Sequence, residues 1–305
     1  MGLLDARATI TWFQRASSRF VPKCNPATKN DIQTLHAFLR SRPNTLVLTG
    51  AGVSTESGIP DYRSKDVGMY ARSNHRPVQY ADFLHSPEIR KRYWARNFVG
   101  WERFSATQPN ATHHALAQLE QENRIKGIIT QNVDCLHSKA GSKNVVELHG
   151  NGYTVICLKC DYRVSRDEFQ DTLKEANDDY EEITAASIRP DGDVDIKPEY
   201  IWGFKVPSCP SCGGPLKPDI VFFGGSIPRS VISKTEEMVS TSDGLLVLGS
   251  TLLVFSGFRL CLLANELELP LAIVNIGPTR GDHIANLKIN AKCGEVVPPL
   301  LHIQE

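Results

Sequence analysis

Apolar residues recur along this chain in two alternating rhythms. Short runs that are apolar or β-branched throughout, such as Thr45-Leu-Val-Leu-Thr49, are separated by longer stretches with apolar positions at helical spacing. Residues 29–42 put Ile32, Leu35, Phe38 and Leu39 on one helical face and lead into the first strand, 45–49. Further strands are predicted at 127–130, 145–148, 220–223, 245–248 and 271–274, and helices at 87–101, 110–121, 230–239 and 257–266. Strands without a polar face, alternating with helices, predict an α/β fold: a Rossmann-like, doubly wound parallel sheet covered on both sides. Two segments break the rhythm. Residues 62–109 are rich in Arg, Tyr, Trp and His and read as a loop followed by a helical insert. Residues 151–216 carry four cysteines around an acidic, polar middle and read as a smaller inserted module. The sheet domain is then made of 24–61, 110–150 and 217–305.

Composition changes this picture little. With 305 residues, 41% of them apolar, the chain can build one large domain and a smaller module. Lys plus Arg and Asp plus Glu number 34 each, so no net charge draws the protein to nucleic acid or a membrane surface. No run is apolar enough to span a bilayer, since 244–258 is broken by Gly249, Ser250, Thr251, Ser256 and Gly257. The terminus is different. Residues 1–23 hold Arg7, Arg15, Arg19 and Lys23 against the single acid Asp5, with hydroxyl residues and a helical apolar pattern, the composition of a mitochondrial transit peptide or of a frayed extension.

Four of the eight cysteines form two Cys-x-x-Cys pairs, Cys157/Cys160 and Cys209/Cys212. Paired knuckles supply four thiolates, which satisfy tetrahedral Zn2+ and leave no open position, so the metal is expected to be structural. The other four cysteines read as reduced thiols. Asp191-Gly-Asp-Val-Asp195 resembles a calcium loop but has Ile196 where a glycine is needed and lacks a bidentate glutamate. His113-His114 reads as a helix-start pair.

The strand 45–49 runs into Gly50-Ala51-Gly52-Val53-Ser54, whose glycines let backbone N–H groups approach a diphosphate closely; the same pattern also suits a plain tight turn. Thr55 stands where a dehydrogenase fingerprint has its third glycine, which argues against hydride transfer. Gln131-Asn132-Val133-Asp134 follows the strand 127–130, at the strand end where open α/β sheets bind ligands. Asn and Asp there can hold an amide and a ribose, though both also favour turns for their own sake. His149 lies just past another strand, before Gly150, with a pKa range suited to a general base.

Taken in order, these motifs resemble the sirtuin family. The likeness is carried by Gly50-Ala-Gly-x-Ser54, Gly58-Ile-Pro-Asp-Tyr-Arg63, Thr130-Gln-Asn-Val-Asp134, Leu148-His-Gly150, the two cysteine pairs, Lys217-Pro-Asp-Ile-Val-Phe-Phe-Gly224, Gly249-Ser-Thr251 and Asn275-Ile-Gly277. Tyr93 to Trp101, Asn275 to Arg280 and the long insert between the cysteine pairs are similar to the mitochondrial class II branch, the sirtuin-four group. The resemblance implies an NAD-dependent protein-lysine deacylase that releases nicotinamide, O-acyl-ADP-ribose and free lysine. It implies that NAD, as cosubstrate, is held by Gly50, Ala51, Gly52, Ser54, Glu56, Asp61, Tyr62, Arg63, Gln131, Asn132, Val133 and Asp134. Gly249, Ser250, Thr251, Asn275, Ile276, Gly277 and Cys293 would line its adenosine side. His149, Asn132 and Asp134 would be catalytic, and Val221, Phe222, Phe223 and Gly224 would pair with substrate backbone. Tyr93 and Arg96 form a Tyr-x-x-Arg pattern in which the arginine would meet an acidic acyl group such as glutaryl or methylglutaryl; lipoyl and biotinyl groups are the other substrates the branch implies. Partners would be acyl-lysine proteins, among them lipoyl- or biotin-bearing metabolic enzymes of the mitochondrial matrix. Mono-ADP-ribosyl transfer at the same site and non-catalytic sensing of NAD or ADP-ribose remain the alternatives.

Overall fold

The computed structural model describes residues 18–73, 76–178 and 188–303. A parallel six-stranded sheet forms its centre: β1 (Thr45–Thr49), β2 (Gly127–Thr130), β3 (Val145–Glu147) and, after an excursion, β7 (Gly244–Leu248), β8 (Leu271–Val274) and β9 (Leu287–Ile289). The order is β3-β2-β1-β7-β8-β9. From β1 the chain builds outward to β2 and β3, then returns beside β1 at β7 and builds the other way. The strand order therefore reverses between β1 and β7, where open α/β sheets form a ligand crevice at their carboxyl ends. Val47 pairs with Ile128 on one side and Leu246 on the other, and all five residues of both β1 and β7 are buried. Such strands need cover on both faces, and two apolar clusters provide it. Leu35, Phe38 and Leu39 of the helix Lys29–Arg40 and Leu116 of Ala111–Gln121 pack on one side. Phe258, Leu260 and Ala264 of Phe255–Glu266 pack on the other. The helices start where local chemistry lets them: Thr28, Ser86 and Asn110 each cap a first turn with their side chains.

The excursion is a second, antiparallel sheet, ordered β5-β4-β6: β4 (Gly150–Cys157), β5 (Arg163–Ser165) and β6 (Leu216–Ile220). The apolar run 220–223 predicted a strand of the parallel sheet, and here the structure corrects the sequence. The strand is Leu216–Ile220, it pairs with β4, and it ends where Val221 starts a turn closed by Gly225 N–H donating to Phe222 O. The run is apolar because Phe222 packs into a ring cluster with Phe83 and Tyr93, with centroids 5.0–5.5 Å apart, and not because it is a central strand. β4 and β6 cross closely at their junction with the large sheet. Gly150 has φ +72, and a Cβ on it would sit 1.9 Å from Asp219 O.

The amino terminus is described only in part. The predicted transit peptide, 1–23, lies outside the described residues up to residue 17, but residues 18–23 belong to the folded body. Phe20 is 3% exposed, Arg72 lies 4.7 Å over its ring, and Val21 to Lys23 line the central cavity. A buried aromatic with such contacts holds its segment in the fold, so the leader composition extends into structured chain.

Candidate active site

The crevice between β1 and β7 opens into a cavity of about 1510 Å³, larger than the roughly 300–1,000 Å³ of common small-molecule sites. Its floor is made where two loops meet backbone to backbone. A Cβ on Gly52 would stand 2.7 Å from Gly249 O, and one on Gly50 would stand 2.9 Å from the same oxygen, so glycine is what lets the turn after β1 close against the loop after β7. The turn itself is a 3-10 helix, Ala51–Ser57.

Above this floor the predicted polar residues form one connected network. Ser54 Oγ donates to Asp134 Oδ2 at 2.7 Å and accepts from Asn132 Nδ2 at 3.1 Å, while Asn132 Nδ2 also reaches Gly50 O at 3.2 Å. Asp134 is fully buried, and burial raises its pKa against the opposing hydrogen bonds from Leu136 N–H and Ser54. Gln131 Nε2 donates to Ser250 Oγ and Thr49 O, tying the strand ends together. Asp61 accepts from the backbone N–H groups of Arg63 and Ser64, at 3.0 and 2.8 Å, and so closes its own loop. Tyr62 and Arg63 stack beside it, with the guanidinium 6.0 Å from the ring centroid. Burial raises the pKa of Glu56, whose carboxylate accepts from Gly294 N–H at the far side of the cavity; Cys293 is buried there too, its thiol pushed up to about 12 by burial.

His149 is the group whose chemistry is most constrained. Its Nδ1 lies 2.9 Å from Gln131 O and its Nε2 lies 2.8 Å from Ser256 Oγ. A carbonyl only accepts, so Nδ1 carries the proton, and in the neutral ring Nε2 is the acceptor. Burial lowers the pKa of His149, partly offset by the bond to Gln131. The ring is therefore a neutral base at pH 7 with its lone pair at Nε2.

Among the predicted residues, Gly50 to Ser54, Glu56, Asp61 to Arg63 (Val53 apart), Gln131 to Asp134, His149, Tyr93, Val221 to Gly224, Gly249 to Thr251, Asn275 to Gly277 and Cys293 all line this cavity. Arg96 does not. Its Nε donates to Val194 O at 2.7 Å and lies 3.0 Å from Asp193, with a further ion pair to Asp195 at 3.2 Å. One helical turn from Tyr93 the side chain points to the 188–196 loop, so the role given to it by the Tyr-x-x-Arg pattern is not supported by its position. Sequence reasoning also missed that loop itself. Pro190, Asp191 and Asp193 form part of the cavity wall, and Asp193 is pushed up to about 8, first by burial and then by Asp191. The stretch drew notice only as a rejected calcium loop, and its three acids are engaged within the chain: Asp191 accepts from Asp193 N–H at 3.3 Å, and Asp193 and Asp195 pair with Arg189 and Arg96. Ser256 was missed because nothing local links a serine at a helix start to a histidine 107 positions away.

The four paired cysteines meet at the tip of the small sheet. Their Sγ atoms all lie within 4.8 Å of one another, with Cys157 and Cys212 3.5 Å apart and Cys160 and Cys209 3.6 Å apart. A tetrahedron with Zn–S bonds of about 2.3 Å has edges of about 3.8 Å, so the cluster fits one zinc ion with no position left for substrate. It is the one group of potential ligands of this kind among the described residues.

Comparison with known proteins places the chain. The Sir2 family model matches residues 50–256, and the chain belongs to that family. Among its relatives, it is 59% identical over 298 residues to the NAD-dependent protein deacylase Sirt4 of Drosophila melanogaster, covering 98% of this chain and 95% of that one. It is 48% identical over 279 residues to the human NAD-dependent protein lipoamidase sirtuin-4, mitochondrial, covering 92% and 88%. Among solved structures it is similar to a Sir2 protein with a p53 peptide and NAD+, at a TM-score of 0.71 and 31% identity over 89% of this chain and 97% of that one.

Proposed function

We propose that this chain acts in the mitochondrial matrix on lysines carrying bulky acyl groups, lipoyl foremost, and frees the lysine at the expense of NAD. It is a protein deacylase of the Sir2 family, with NAD as cosubstrate and one structural zinc. Mitochondrial location follows the names of its human and bovine relatives, both called mitochondrial lipoamidases. Biotinyl-lysine belongs to the same class of long, uncharged acyl chains. The Drosophila, bovine and human relatives are named for deacylation and none for ADP-ribosyl transfer.

The observation that carries the reading is the orientation of His149, a neutral base that lines the same cavity as Asn132 and Asp134, with Nδ1 on Gln131 O and Nε2 on the hydroxyl of Ser256. The glycine turn and Arg63, which both line the cavity, suit a diphosphate. Bound NAD supplies an electrophilic ribose carbon once nicotinamide departs. Asn132 and Asp134, fixed to each other through Ser54, orient the amide and ribose groups. Nε2 of His149 takes up the hydroxyl proton that must leave for the acyl group to be transferred, contributing on the order of 10²–10⁴-fold as a general base. Tyr93 and Phe222 give the acyl chain an apolar wall. With Arg96 engaged elsewhere, no guanidinium from that helix meets an acidic acyl group, which favours uncharged chains over glutaryl.

Incubation with NAD and a panel of acetyl-, glutaryl-, lipoyl- and biotinyl-lysine peptides, read by product mass, tests this. Lipoyl-lysine should be freed fastest, with O-acyl-ADP-ribose formed and all turnover lost in His149→Tyr. ADP-ribosylated protein in place of O-acyl-ADP-ribose would overturn the reading.

A further inference from the structure

The wall of the crevice built by residues 252–256 and 278–280 presents a cation that no acid among the described residues pairs with. Arg280 is exposed and lines the cavity. Its guanidinium lies over the ring of Phe258, 4.5 Å from the centroid, and over Phe255 at 5.6 Å. Among the described residues its side chain has no hydrogen bond or ion pair. The acid nearest in sequence is already committed: Asp282 accepts from Thr279 N–H and Oγ1, at 2.9 and 2.6 Å, and pairs with Lys288 at 2.8 Å. Arg259, the other arginine on this wall, is held by Glu236 at 2.7 Å. The backbone of Arg280 is fixed as well, its N–H donating to Thr251 O at 3.0 Å. Stacking on aromatic faces orders a guanidinium while leaving its in-plane N–H donors free, so little freedom is lost when a carboxylate arrives.

The surroundings suit a peptide. Leu253 and Phe255, large apolar side chains 54% and 57% exposed, border the same cavity as Arg280, Val221 to Gly224 and His149. A substrate segment that brings its acyl-lysine to His149 must cross this rim. The glycine turn that suits the diphosphate of NAD is a separate part of the cavity, after β1, whereas Arg280 stands against Phe255 on the wall that Leu253 shares.

We infer that Arg280 is a specificity-determining residue that takes the carboxylate of an aspartate or glutamate flanking the acyl-lysine of the protein substrate. This rests on the deacylase reading of the same site. It calls for fluorescent peptides that differ only in carrying Asp, Ser or Lys on both sides of a lipoyl-lysine, with binding followed by anisotropy and turnover by product mass. The Asp-flanked peptide should bind about five- to tenfold more tightly than the Ser-flanked one, the size of one charge-assisted contact at a partly solvated site. The advantage should shrink as salt is raised. It should vanish in Arg280→Ala and turn toward the Lys-flanked peptide in Arg280→Glu. Equal binding of all three peptides to the unmutated protein, an advantage that survives both variants, or variants whose only defect is weaker NAD binding would each overturn it. Arg280-dependent peptide binding without any O-acyl-ADP-ribose would leave this inference standing and sink the deacylase reading instead.

Discussion

Nε2 of His149 lies 2.8 Å from the hydroxyl oxygen of Ser256, on the opposite side of the ring from the carbonyl that fixes its tautomer. On the proposed function, a substrate hydroxyl would take the place of this serine at Nε2. Because burial lowers the pKa of His149 from 6.5, the base is free of its proton before neutrality is reached. Activity should therefore be level from about pH 7 upward on this group's account and fall only as the pH drops through a value below 6.5. A pH profile of kcat/KM on a lipoyl-lysine peptide measures this, and an acidic limb centred above 6.5 would show that the base has been misassigned.

Arg96 holds the 188–196 loop and does not reach the cavity. Arg96→Ala leaves the buried Asp193 with Arg189 as its remaining cation and should cost less than the roughly 3–5 kcal/mol of breaking a buried ion pair outright, on the order of 1–3 kcal/mol. Rates on acetyl, glutaryl and lipoyl peptides should fall by a common factor. Chemical denaturation gives the first quantity and the peptide panel the second. A loss confined to glutaryl-lysine would restore the arginine to a role against acidic acyl groups.

The four thiolates should bind one zinc per chain. Cys160→Ser should lose the metal and, with it, the order of the small sheet, because binding energy of roughly 10–16 kcal/mol in isolated zinc modules is also folding energy. Metal analysis and near-ultraviolet circular dichroism report on both. Native dichroism in a metal-free variant would mean that the sheet holds itself together.

Phe20 ties the segment 18–23 into the described fold. A chain beginning at residue 24 should be about 3–5 kcal/mol less stable than one beginning at residue 18, the usual result of deleting a buried phenyl ring. Weaker NAD binding should accompany it, since Val21 to Lys23 line the cavity. Thermal melts and calorimetric titration of the two truncations compare them directly, and equal melting temperatures would assign residues 18–23 to the leader after all.

Much of this protein is written locally. The buried β1, β2 and β8 strands coincide residue for residue with their apolar runs, because a central parallel strand admits no polar face and its limits show as changes of residue type. The glycine turn, the Asn-Val-Asp strand end, the histidine and the cysteine knuckles are likewise visible as short motifs, since each is a local answer to a chemical need. What the tertiary structure alone decided depends on direction and distance. The strand after Pro215 joined the antiparallel sheet through its pairing with β4, a partner some sixty residues away that its own composition does not name. Arg96 turned to the 188–196 loop although Tyr93, one helical turn earlier, faces the cavity, because Asp193, Asp195 and the Val194 carbonyl there accept from its guanidinium. Ser256 met His149, and Arg280 was left without a carboxylate among the described residues, only once separate loops had closed over the sheet. Residue type sets what a side chain is able to do; which neighbour it does it with is settled by packing between segments remote in the chain.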